Sequence, residues 1–144
     1  MLGGLRRRWW RRRLTAPAYA FLAEPDPQGE LVSLDCETTS LDVASAELLS
    51  IAAIRIQGDR ILTSEALDLL VRPALRPSEE GILIHRLRSV DVARGLASDE
   101  AIERLLQFIG GRTLLGYYLE FDLGVINRYA RPKLGVSLPN PRLE

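Results

Sequence analysis

The chain has 144 residues, enough for one domain with a hydrophobic core, and 47% hydrophobic against 26% charged residues is the balance of a globular protein rather than a disordered one. Its formal net charge is zero but unevenly spread: six arginines precede the first acid, Glu24, and the other 13 basic residues face all 19 acids. A single cysteine, Cys36, excludes an internal disulfide and a thiolate zinc cluster, and no run approaches the roughly 20 apolar residues of a membrane span.

Residues 1–14 hold two arginine triplets around Trp9 and Trp10. They read as a basic tail without fixed structure, its arginines suited to phosphates and its indoles to bases or a membrane surface. The start lacks the continuous apolar segment of a secretory signal and is poor in the serine of an organellar transit peptide, so a cytoplasmic location is expected. Three prolines and the run PDPQG make 15–30 an irregular lead-in, with a short docked segment over 18–22.

The segment 31–42, LVSLDCETTSLD, is the most informative in the chain. A strand over 31–37 places Val32, Leu34 and Cys36 on one face and Ser33, Asp35 and Glu37 on the other. Two like charges on one face of a strand repel each other and resist desolvation, a conflict that a bound cation relieves. Cys36, between them, reads as a small buried hydrophobe rather than a nucleophile.

Next, 48–56 (LLSIAAIRI) is almost continuously apolar and reads as a strand buried on both faces. The turn chemistry of 57–60 joins it to a third strand over 61–71, giving an antiparallel meander. Residues 77–96 read as short helical turns; their His85, the chain's one histidine, reads as a structural hydrogen-bonder rather than a base or ligand. Ser98 is expected to cap a helix in which Ile102, Leu105, Leu106 and Ile109 share a face before Gly110-Gly111 stops it. A short strand over 113–116 and a helix over 120–131 follow. On that helix Leu119, Asp122, Val125, Ile126 and Tyr129 share a face, so Asp122 is an acid in an apolar stripe; Pro132 is expected to end the helix and leave an extended tail. Strands followed by helix, strand and helix indicate an α/β domain with a mixed sheet.

Asp35, Glu37 and Asp122 form an all-oxygen set suited to a hard cation such as Mg²⁺ or Mn²⁺. Such ions support phosphodiester hydrolysis, although the residues alone do not separate that from simple metal binding.

Three segments, in order, resemble the motifs of the DnaQ-like, DEDD-type 3′–5′ exonucleases. LVSLDCETTSLD resembles their first motif, an apolar strand ending in D-x-E-T-T-G-L. ILIHRLRSVDV resembles their I-H-G-[IL]-x-x-x-D-V segment, and LLGYYLEFDLGVINRYA resembles their second motif, in which G-H-N-x-x-F-D opens a helix. The resemblance implies a ribonuclease H-like fold with a five-stranded mixed sheet and flanking helices, and removal of nucleotides from 3′ ends with two Mg²⁺ or Mn²⁺ ions. It implies that Asp35 bridges both ions, Glu37 binds one, and Asp122 holds the second through water. It further implies that the backbone at Thr38 and Thr39 approaches the terminal nucleotide, that Leu41 packs near its base, and that Phe121 is structural or lines the cleft. The implied partners are a nucleic-acid 3′ end and a DNA polymerase or another replication or repair protein.

There are departures. Ser40 stands in place of a glycine, which is tolerated if φ is not positive there. Arg86 replaces the glycine after His85, and Tyr117-Tyr118 replace His-Asn but can stack on a nucleotide. The family's third motif supplies a general-base His or Tyr and a fourth Asp, whereas Glu144 is the only acid after Asp122. Residues 31–144 are therefore read as a partial exonuclease domain, its C-terminal part missing and its own activity weak or absent. The alternative reading is a non-catalytic module that binds nucleic acid or a protein partner on the same scaffold.

Overall fold

The computed structural model describes residues 2–74, 91 and 93–144. In chain order the elements are α1 (Leu2–Arg13), a 3-10 helix (Pro17–Ala23), β1 (Leu31–Thr38), β2 (Leu48–Gln57), β3 (Arg60–Leu70), α2 (Ser98–Ile109), β4 (Thr113–Leu115), α3 (Leu119–Leu134) and β5 (Arg142–Leu143). The helical turns expected over 77–96 lie outside the described residues except at their end, as do His85 and Arg86.

The three long strands form the expected antiparallel meander, with Gly58 at φ 61° in the hairpin turn. β4 runs parallel to β1, and the tail, rather than staying unpaired, adds β5 parallel to β4. The five-stranded mixed sheet has the order β3-β2-β1-β4-β5, a ribonuclease H-like α/β arrangement. Among the described residues no helix is long and apolar enough to cross a membrane.

The pleat separates the two faces of the sheet as alternation requires. Val32 and Leu34 pair with Arg55 and Ala53, and Cys36 with Ile51. On this face Val32, Leu34, Ile51, Ala53 and Leu69 are buried in one core with Ile102, Leu105, Leu106 and Ile109 of α2 and Leu119, Leu123 and Ile126 of α3. On the other face Asp35, Ala52, Ala66 and Asp68 are exposed. The expectation that β2 is buried on both faces is therefore corrected. Both helices pack on one side, so the apolar run of β2 covers its core face fully and its other face only in part.

Two helix boundaries also differ from expectation. α2 begins at Ser98 with Ala97 as its cap residue, and no side chain caps it; Asp99 and Glu100 in the first turn still complement the dipole. Pro132 does not end α3. It lies in the last turn, where its missing N–H forgoes the bond to the Arg128 carbonyl without ending the helix, which runs on to Leu134 before Gly135 (φ 77°) closes it through its N–H to the Arg131 carbonyl, at 2.7 Å.

The largest departure is at the N-terminus, where residues 2–13 form α1 instead of a tail without fixed structure. A 12-residue helix is marginal on its own. Here Trp10 is 3% exposed, and its indole N–H donates to the Ser137 carbonyl at 2.7 Å. The Thr15 N–H then donates to the Leu134 carbonyl at 2.9 Å, fixing the exit of α1 against the end of α3. The lead-in continues round the molecule, with Leu22 and Ala23 buried. Arg112 ties it to the sheet through Glu30 at 2.9 Å and Asp26 at 3.2 Å. Trp10→Ala is expected to cost roughly 3 kcal/mol by removing a buried aromatic. Hydrogen exchange should then accelerate across residues 2–13 while the amides of α2 stay protected.

Candidate active site at the end of strand β1

β4 pairs with β1 only at Leu31, Val32 and Ser33, so β1 from Leu34 onward extends past its neighbour. The chain leaving β4 stays close to that exposed edge. A Cβ on Gly116 would meet the Leu34 carbonyl and the Leu119 side chain, each at 2.9 Å, so only glycine allows this approach. The connection then makes a sharp entry into α3, with Tyr118 in the left-handed region at φ 51°, ψ 42°. Among the described residues Tyr118 is the one non-glycine with positive φ, a conformation that costs a side-chain-bearing residue about 1 kcal/mol or more.

This entry brings the first turn of α3 onto the open edge of β1. Asp122, 5% exposed, lies by the backbone N–H of Cys36, whose dipole favours its charged form. Asp35 and Glu37 flank that amide. Burial, followed by the charge of Asp35, pushes the Asp122 carboxyl up from its ordinary 3.8 to about 7; Glu37 adds to the rise and the Cys36 N–H opposes it. The Cys36 thiol is pushed well up by burial and then by Asp122, Asp35 and Glu37, which fits an inert core residue. The three acids thus feel one another across 87 residues of sequence. They do not form a closed cage: among the described residues no three His, Cys, Asp or Glu side chains are arranged to hold a metal ion.

The loop after β1 lies along α3. The Thr38 hydroxyl donates to the Ser40 carbonyl at 2.7 Å, and the Thr39 hydroxyl accepts the Glu47 N–H at 2.9 Å. Both side chains therefore shape the loop. Ser40 does not adopt positive φ, which explains why serine is accepted there. Asp42 closes the turn by accepting from the Ser45 hydroxyl at 2.9 Å and the Ala44 N–H at 3.1 Å, the two bonds that hold its carboxyl below the usual range. Arg128 of α3 donates to the carbonyls of Val43 (3.1 Å) and Ala46 (2.6 Å). Leu41 is left 84% exposed.

Two flat aromatic side chains stand at the same end of α3. Tyr117 is 96% and Tyr118 68% exposed, and the Tyr118 ring lies 6.4 Å from Phe121 with their planes 8° apart. The fold thus gathers the expected residues: the acids at the end of β1, Thr38, Thr39 and Leu41 in the loop beyond, and the tyrosine pair at the mouth of α3. Sequence reasoning missed three contributors. One is the Cys36 amide, which no side-chain motif reveals. The others are Gly116 and Gly124; a Cβ on Gly124 would come within 2.5 Å of Val43. A glycine in the interior of a helix, as Gly124 is, costs about 1 kcal/mol, which is the signal that points to a close approach.

The sequence model of the exonuclease family RNase_T matches residues 32–142. The chain belongs to that exonuclease family. It is 28% identical over 115 residues to the DNA polymerase III subunit epsilon of Aquifex aeolicus (strain VF5), a match covering 80% of this chain and 56% of that protein. It is 31% identical over 114 residues to a DNA polymerase III subunit epsilon-like protein of Rhodobacter capsulatus, covering 78% of this chain and 16% of the relative. The chain thus spans about half of the first relative and a small part of the second. Among solved structures, exonuclease I from Methylocaldum szegediense superposes with a TM-score of 0.69 at 26% identity, over 80% of this chain and 27% of that one. A product-bound exonuclease I gives 0.71 at 19% identity, over 81% and 30%, a likeness of fold.

The buried carboxyl makes a measurable statement about stability. Asp122 holds its proton more tightly folded than unfolded, so its contribution to stability is complete below about 3.8 and is lost as pH rises through about 7. Asp122→Asn keeps an acceptor for the Cys36 amide and removes the charge. In thermal melts without divalent metal, the variant should gain on the parent protein steadily between pH 4 and pH 7 and hold that advantage at pH 8. Parallel curves for the two proteins would contradict the burial of this carboxyl.

Proposed function

We propose that the chain carries the metal-binding half of a 3′–5′ exonuclease site acting on the 3′ end of DNA or RNA. The observation that carries this reading is the coupling of Asp122 to Asp35 and Glu37 at the open end of β1, in a chain of the exonuclease family. The donor set fits a hard divalent cation, because a buried carboxyl whose ionisation is opposed by two neighbouring acids gains most from a shared positive charge. Mg²⁺ or Mn²⁺ would be held by Asp35, Glu37 and Asp122. When bound, the ions would supply an activated water and charge stabilisation for the leaving oxygen.

The protein's own groups serve the substrate. The backbone of Thr38 and Thr39 offers polar contacts for the terminal nucleotide, and the exposed Leu41 offers apolar surface for its base. Tyr117 and Tyr118 offer stacking surface at the other side of the acids. Hydrolysis by these 144 residues is expected to be slow, since Glu144 is the only acid after Asp122 and the pairing of base and fourth acid is not in the sequence. The names of the relatives support DNA as substrate and a replicative polymerase assembly as partner. A non-catalytic binding module remains a second reading, favoured by one observation: the acids are near one another without forming a closed cage.

Metal binding separates the two. Mn²⁺ should raise the melting temperature of the parent chain in proportion to its saturation, and Asp35→Ala should remove that rise. Any release of mononucleotides from the 3′ end of a labelled oligonucleotide should vanish in the same variant. Equal stabilisation of both proteins by Mn²⁺ would contradict the assignment, and so would nucleotide release undiminished by Asp35→Ala.

A further inference from the structure

A groove with a volume of about 770 Å³ lies away from the acids, between α1 and the segment that returns from α3 to β5. Arg6, Arg7, Arg13, Arg131 and Arg142 line it together with Trp9, and no acid does. Among the described residues Arg6, Arg7 and Arg13 have no ion-pair partner, although Arg11, on the same helix, pairs with Glu24 at 3.7 Å. Charge of one sign is thus concentrated in a concave wall where Arg142 pairs with Glu120 but the three arginines of α1 do not pair with an acid, in a chain whose other residues are net acidic.

We propose that this groove binds the sugar–phosphate backbone of a single-stranded nucleic acid, with Trp9 stacking on one of its bases. Trp9 is 53% exposed and carries the Arg13 guanidinium over its ring at 4.3 Å, the kind of aromatic and cationic surface on which unpaired bases stack. The groove is also built rather than accidental. Its floor is fixed by the buried Trp10 and its bond to Ser137, and Arg131 is steered by a bond from its Nε to the Ser137 hydroxyl at 2.9 Å. A lipid surface fits less well. Among the described side chains of α1 the exposed apolar ones, Leu5 and Trp9, both line the groove rather than an outer face that could enter a bilayer.

Arg131 of α3 and Arg142 of β5 both line the groove, and Arg142 pairs at 3.0 Å with Glu120 in the first turn of α3. The binding of a single strand in the groove does not rest on the exonuclease reading.

The test is fluorescence anisotropy with a labelled single-stranded oligonucleotide and the full chain in EDTA, so that hydrolysis plays no part. The parent chain should bind with strong salt dependence. The triple variant Arg6→Gln, Arg7→Gln, Arg13→Gln should weaken binding at least tenfold and flatten the slope of log K against log salt by about 2, as expected for three lost phosphate contacts at roughly 0.7 each. Trp9→Ala should weaken binding without changing that slope. Because EDTA removes any metal the acids would hold, a failure of the exonuclease reading would leave all these values in place. Helix content and melting temperature, both expected unchanged for variants at exposed positions, show that folding is not the cause. Unchanged binding in the triple variant would overturn the proposal. Equal affinity for polyglutamate or for phosphatidylglycerol vesicles would overturn it as well, since charge alone would then account for the groove.

Discussion

The approach of the Asp122 carboxyl to the Cys36 amide is the constraint on which the site depends. β1 outruns β4, which leaves its last residues without a parallel neighbour, and the first turn of α3 comes to that edge. In doing so it moves a negative charge next to two others, so the element that covers the sheet edge also creates the electrostatic conflict at its end. The strained entry at Tyr118 and the close approaches at Gly116 and Gly124 all serve to hold α3 in this place.

Much of this was legible from residue order. Alternation in 31–37 sorts core from cleft because a strand has a period of two, and the meander follows from short connections between apolar runs. The inward position of Asp122 follows from its place in an apolar stripe. What alternation could not report was coverage. The same apolar run that suggests a strand enclosed on both sides also suits β2, whose second face is only partly covered, since hydrophobicity states what can be buried and not what lies above it. Pro132 misled for a related reason: proline forgoes one bond to the carbonyl four residues earlier, a local loss that does not by itself end a packed helix.

The N-terminus was illegible for a deeper reason. Local composition argued against order, because arginine-rich segments bury little apolar surface. The order of α1 comes instead from a single indole and a carbonyl 127 residues away. No window of sequence contains both. In the candidate site the side chains could be named from their motif, but the main-chain donor beside them could not, because every residue has one and only the fold decides which is left to be used.

The two tryptophans of the chain are both on α1, one buried against the body and one in the groove. Tryptophan emission therefore reports a single helix rather than the whole molecule. Its blue component follows the docking of that helix and its red component the traffic through the groove, while the acids some distance away remain optically silent. The protein thus carries a built-in probe that distinguishes detachment of its basic arm from collapse of its sheet.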